Sequence, residues 1–152
     1  MNDKSFVDTN IWIYAHLDQN SDAKGHVAAN LVETIPRCVI TTQVLSEYYS
    51  AMVKHHVEES WIRNSVATMM RHCDVLLISL PVLHKAFDVR SRYGFSIWDS
   101  LIIASALQGN CTLLYTEDLQ HDQWIEGRLR IVNPFLEFKS GCADIDVDQE
   151  LL

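Results

Sequence analysis

Ser5-Phe6-Val7-Asp8 is a short apolar run that ends in an acid, and Asn10 to Leu17 behind it has the pattern of a short helix. The same alternation recurs down the chain. Ser21 is placed to cap a second helix that runs through Ile35, where Pro36 closes it. Cys38-Val39-Ile40 is a second short apolar run. Thr42 then caps a helix to about His55, with Val44, Leu45, Tyr48, Tyr49 and Met52 on its apolar face. Glu58 to His72 forms another helix, with Trp61, Ile62, Val66, Met69 and Met70 as its stripe. Val75-Leu76-Leu77-Ile78 is a third strand, and the helix from Leu80 to Tyr93 stops at Gly94, a fitting C-cap. Ser96 starts a helix to Gln108, Thr112 to Tyr115 is a fourth strand, and Leu129 to Val132 is a fifth that Pro134 ends. Short apolar strands alternating with helices predict an α/β fold with a parallel sheet covered on both sides.

The composition fits a single packed domain. Of 152 residues 48% are hydrophobic and 21% charged, which excludes disordered, collagen-like and coiled-coil compositions. Twelve basic against twenty acidic residues give a net charge of −8, so a broad basic face for coating duplex nucleic acid is not available. Asp144, Asp146, Asp148 and Glu150 crowd the last residues; without them the count is twelve against sixteen, or −4. Residues 1–139 are therefore expected to form the domain, and 140–152 a flexible acidic tail. Cys38, Cys73, Cys111 and Cys142 are separated by 35, 38 and 31 residues, which is neither zinc-ligand spacing nor a small disulfide framework. They read as reduced thiols of a cytoplasmic protein, three of them in the core. No run reaches the roughly 18 apolar residues of a membrane helix, and the N-terminal segment, broken by Asp8 and Asn10, does not read as a secretory leader.

The chain contains only five glycines and no GxGxxG, GxxxxGK[ST] or GxSxG motif, so dinucleotide, P-loop and serine-hydrolase readings lose their main support. What remains is acids at element ends. Asp8 follows the first strand and Asp118 follows the fourth, in Tyr115-Thr116-Glu117-Asp118. In open α/β sheets the ligand crevice lies at the carboxyl ends of strands, although each acid could simply cap the next helix. Asp99 sits three residues after Ser96, the spacing of a capping box. That position also aims its carboxylate at the helix mouth. Glu47 lies in mid-helix beside an apolar stripe, where an acid is either a solvated edge or a paired or ligating group.

Four carboxylates converging without compensation would repel one another strongly: two unit charges about 4 Å apart cost roughly 4 kcal/mol at an effective dielectric near 20. A divalent cation removes that cost, and an all-oxygen ligand set favours Mg²⁺ or Mn²⁺ over zinc. Such an ion can generate hydroxide and stabilise an in-line phosphoryl displacement.

Phe6-Val7-Asp8-Thr9-Asn10-Ile11 resembles the opening of PIN-domain ribonucleases. Ser46-Glu47-Tyr48-Tyr49, the run Ser96 to Ala106 around Asp99, Tyr115-Thr116-Glu117-Asp118-Leu119 and Asn133-Pro134-Phe135 resemble the later motifs in order, with gaps of 39, 52 and 19 residues between the four acids. Size and the lack of further domains look most like a VapC-type toxin of a toxin–antitoxin pair. The resemblance implies a Rossmann-like α/β/α PIN domain with a central parallel sheet. It implies Mg²⁺- or Mn²⁺-dependent cleavage of RNA to a 5′-phosphate and a 3′-hydroxyl. Asp8, Glu47, Asp99 and Asp118 carry over as the acidic quartet, Asp8 and Asp99 first among the metal ligands, with Thr9, Asn10, Thr116 and Glu117 as polar support. Glu117 and Asp122 stay open beside Asp118 as the fourth acid. The expected partners are an RNA substrate (transfer, ribosomal or messenger), a homodimer mate, and an antitoxin whose C-terminal segment covers the site.

Two other readings stand beside this one. A catalytically silent PIN-like interaction module keeps the pocket without the reaction. An aspartate-nucleophile phosphatase would use Asp8, but that pattern wants an acid two residues on, where this chain has Asn10. Cations able to meet phosphate are few: Arg37, Lys54, His55, His56, Arg90 and Arg92, or ordinary solvated surface. His121 with Asp122 is either a proton shuttle or polar surface. Trp12, Trp61, Trp98 and Trp124 either stack on single-stranded bases or fill the core.

Overall fold

Phe6 and Val7 are adjacent and both fully buried, as are Val39 and Ile40. Successive strand residues point to opposite faces, so this sheet is covered on both sides. The structure, a computed structural model, describes residues 4–17 and 23–136. In chain order it contains β1 (Lys4–Val7), α1 (Thr9–Leu17), α2 (Ala23–Thr34), β2 (Arg37–Thr41), α3 (Thr42–Lys54), α4 (Glu59–His72) and β3 (Asp74–Leu76). There follow α5 (Leu80–Tyr93), α6 (Ile97–Gln108), β4 (Leu113–Tyr115), β5 (Trp124–Ile125) and β6 (Leu129–Val132).

The strand order is β3-β2-β1-β4-β6-β5. The first five of these run parallel, with Phe6 opposite Val39 on one side and Leu114 on the other. From β1 the chain first winds outward through β2 to β3, then returns to the other side of β1 with β4. The order therefore reverses between β1 and β4, and their carboxyl ends flank the crevice of a topological switch point.

Three local signals act as their chemistry requires. The Ser96 hydroxyl accepts the Asp99 N–H at 3.1 Å and starts α6. Ser79 caps α5 in the same manner, and Gly94 ends it with φ of 80°, a left-handed turn that glycine adopts without Cβ strain. The cap of α3 is Thr41 rather than the expected Thr42, because it is the Thr41 hydroxyl that reaches the Val44 N–H, at 3.3 Å.

Other expectations need correction. The sheet is not wholly parallel: β5, only two residues long, pairs antiparallel with β6. The turn between them uses two left-handed residues, Glu126 at 53° and Gly127 at 66°, the twist that tight hairpins need. Strand β3 begins at Asp74 and ends at Leu76, leaving Leu77 exposed. In α4 only Ile62 and Met69 of the expected stripe are buried, while Trp61 and Met70 are exposed. Cys38, Cys73 and Cys111 are free and buried, as expected. Cys142, the Ser21 cap and the acidic tail 140–152 lie outside the described residues. No described helix is long and apolar enough to cross a membrane.

Candidate active site

Asp8 is the first residue past β1. Its N–H continues the ladder by donating to the Tyr115 carbonyl at 3.0 Å, which fixes its carboxylate over the switch point. The side chain is 6% exposed. One oxygen accepts the Thr9 N–H at 2.7 Å, and the other accepts the Thr116 hydroxyl at 2.8 Å. Burial pushes the Asp8 carboxyl from its ordinary value of 3.8 up to about 6. The Thr116 and Thr9 bonds oppose that rise, and the charges of Asp118 and Glu47 add to it.

The other acids arrive from separate elements. Glu47 projects from α3, where its oxygens accept from the Thr9 hydroxyl at 3.1 Å and from the Gln43 amide at 2.7 Å. Asp118, in the loop after β4, accepts from the Asn10 amide at 2.9 Å, and its own N–H donates to the Thr116 hydroxyl at 3.2 Å. Asp99 stands in the first turn of α6, and burial, with Asp118 and Glu47 nearby, raises its carboxyl above the ordinary range. Asp8, Glu47, Asp99 and Asp118 together line one cavity of about 300 Å³.

Two features make this cavity suited to a cation. Among the described residues no lysine, arginine or histidine lines it. Asn10 Oδ1 and Gln43 Oε1, both belonging to lining residues, are buried acceptors without a hydrogen-bond partner among the described residues. Buried acceptors left unpaired beside carboxylates are unfavourable in the absence of positive charge or ordered water. The donor set is therefore all oxygen, which suits a hard divalent ion. As the side chains stand, no three His, Cys, Asp or Glu groups among the described residues close round a single point. Asp8, Glu47 and Asp118 are held instead by the neutral donors Thr9, Asn10, Gln43 and Thr116.

The competing acids are engaged elsewhere. Glu117 accepts from the Tyr14 hydroxyl and from Lys24, both at 3.2 Å. Lys24 also lies over the rings of Tyr14 and Phe135. Asp122 is bound by Arg130 and sits 3.3 Å from His121. His121 Nδ1 in turn accepts the Asn133 N–H. Neither Glu117, Asp122 nor His121 lines the acidic cavity, nor does any of Arg37, Lys54, His55, His56, Arg90 and Arg92. Gln43 was missed in the sequence, although it lies one helical turn before Glu47 on the same face. A larger cavity of about 680 Å³ lies at Trp12, His16, Trp61 and Cys73. Among the described residues its only carboxylate is Glu33, so the smaller cavity is the one whose acids suit a hard, oxygen-liganded ion.

A mostly parallel sheet with carboxylates from four elements gathered over its switch point defines an α/β protein with an acidic, oxygen-ligand site. Residues 5–124 match the PIN domain family, and the chain belongs to that family. Solved structures share the fold. A toxin–antitoxin complex from Klebsiella pneumoniae superposes with a TM-score of 0.66 at 24% identity, over 86% of this chain and 97% of that one. The sarcin–ricin-loop-cleaving toxin VapC20 of Mycobacterium tuberculosis gives 0.61 at 18% identity, over 75% and 91%. VapBC2 of Rickettsia felis, bound to a fragment of its promoter DNA, gives 0.63 at 16% identity, over 86% and 99%. No curated protein is similar enough in sequence to match the chain.

Proposed function

We propose that this PIN domain is a metal-dependent endoribonuclease and serves as the toxin of a toxin–antitoxin pair. The observation that carries the reading is the convergence of Asp8, Glu47, Asp99 and Asp118, from β1, α3, α6 and the loop after β4, on one cavity. That convergence is unfavourable unless positive charge enters the cavity.

Asp8 and Asp99 would hold a Mg²⁺ or Mn²⁺ ion, with Glu47 and Asp118 contributing directly or through water. When bound, the ion supplies charge for the scissile phosphodiester and acidifies a water molecule at neutral pH. The protein's own groups do the positioning. Thr9 and Thr116 hold Asp8 between them, Asn10 holds Asp118, and Gln43 and Thr9 hold Glu47. Glu47 and Asp118, the more exposed acids, would accept the proton of the attacking water. The products are a 5′-phosphate and a 3′-hydroxyl.

The structural relatives in toxin–antitoxin complexes support an antitoxin as partner here; a homodimeric toxin and action in the cytoplasm are further parts of the same proposal. The second reading, a silent module, is favoured by one observation: Asp8, Glu47 and Asp118 are already tied off on neutral donors. The two readings separate in one experiment. RNA is incubated with Mg²⁺ or Mn²⁺ and with wild type, Asp8→Asn or Asp99→Asn. Cleavage that needs both the ion and the two carboxylates supports the nuclease. Equal cleavage by all three proteins, or none by any, rejects it.

A further inference from the structure

We infer that Trp98 is the platform on which an unpaired RNA base stacks next to the scissile phosphodiester; the inference rests on the ribonuclease reading above. Trp98 is the residue before Asp99 in the first turn of α6, and it lines the same cavity as Asp8, Asp99 and Asp118. It is 65% exposed. No hydrogen bond, ring contact or cation contact joins its indole to any described residue. The other tryptophans have different situations. Trp12 is buried and donates to the Val7 carbonyl at 3.2 Å. Trp61 sits edge-on to His16 at the larger cavity. Trp124 lies in β5, on the far edge of the sheet. Among the described residues only Trp98 places an open aromatic face at the acids.

The charge distribution favours such a face. The chain carries −8, and among the described residues no cation lines the acidic cavity, so side-chain attraction for phosphate is weak there. Stacking on an indole does not depend on charge, tolerates any base, and contributes about 1–3 kcal/mol per base. It also selects for single strands, because bases within a duplex already have both faces covered. Trp98 and Asp99 line the same cavity, so a nucleotide stacked on the indole would have its neighbouring phosphate within reach of the acidic site.

The test compares wild type with Trp98→Phe, Trp98→Leu and Trp98→Ala on a short single-stranded RNA in Mn²⁺. Leu and Ala are expected to raise KM about tenfold or more, with kcat changed far less, while Phe keeps most of the affinity. Because Trp98 is exposed, all three variants should melt like wild type and keep its Mn²⁺-induced rise in melting temperature. The same RNA with one abasic nucleotide beside the cut site should lose affinity for wild type but lose no more for Trp98→Ala. Unchanged KM in Trp98→Ala, with wild type active, overturns the inference. So does an additive loss with the abasic RNA. A Trp98→Ala protein that loses only its dimeric state would assign the indole to a second copy instead. If wild type cuts no RNA in Mn²⁺, the nuclease reading fails and this inference falls with it.

Discussion

The Thr116 hydroxyl donates to Asp8 Oδ2 at 2.8 Å, joining residues 108 positions apart in the chain. Thr116 is itself fixed by its N–H, which donates to the Val132 carbonyl of β6. The same hydroxyl accepts the Asp118 N–H. One small side chain thus connects the two acids that lie at the carboxyl ends of β1 and β4.

Thr116→Val should remove that connection while keeping the shape. The lost bond favours the charged form of Asp8, so its carboxyl should rise further and the acidic limb of the pH–rate profile should move upward. Cleavage near neutrality is expected to fall about tenfold, since a hydrogen bond to a charged group contributes roughly 1.5–3 kcal/mol. Thr116→Ser should restore most of it. Initial rates across the pH range check this.

Asp8 should destabilise the metal-free protein above its own pKa. Its folded value, about 6, lies above the ordinary 3.8, so the folded state holds the proton more tightly than the unfolded state does. Stability contributed by this group is therefore full below about pH 4 and is lost as pH rises through about 6. In chelator, Asp8→Asn should match wild type at low pH and become more stable by up to about 3 kcal/mol near neutrality. Urea melts of both proteins across that range measure the difference. An advantage for the variant that grows toward acid pH would contradict the burial argument.

Mn²⁺ should raise the melting temperature of wild type, because an ion that binds only the folded state stabilises it by mass action, about 2.7 kcal/mol at a hundred times Kd. The rise should shrink toward about pH 5, where protons compete with the ion for Asp8. It should be lost in Asp8→Asn and Asp99→Asn. Differential scanning fluorimetry with an Mn²⁺ titration gives all three results.

Tyr48 tests the scaffold separately from the site. Its buried hydroxyl lies 2.6 Å from His16 Nδ1 and 2.8 Å from Ser65 Oγ. Tyr48→Phe should cost about 1–2 kcal/mol, since His16 and Ser65 keep only their mutual contact at 3.2 Å. Activity per folded molecule should be unchanged. Chemical denaturation, paired with an activity assay at saturating ion, separates the two effects.

Much of the fold was legible because its signals are local. The apolar run Ser5 to Val7, the cap Ser96 with Asp99 behind it, and the stop at Gly94 each report on a few neighbouring residues, and each appears where the pattern placed it. The two-residue β5 carries too few residues for a period and was not visible. Trp61 and Met70 fit a helical stripe, yet the surface of α4 leaves them exposed, since periodicity says which residues share a face and not how far a neighbour covers it.

The candidate site divides the same way. The amino-acid order alone named the four acids, their oxygen-only chemistry, and the positions of Asp8, Asp99 and Asp118 at the ends of elements and of Glu47 in mid-helix. Only the folded chain showed that Glu117 and Asp122 pair with Lys24 and Arg130 while Asp118 lines the cavity. Only the folded chain singled out Trp98 and Gln43. Capping and periodicity act over a few residues and can be read along the chain. Convergence across gaps of 39, 52 and 19 residues depends on strand order and helix packing, which no local window contains.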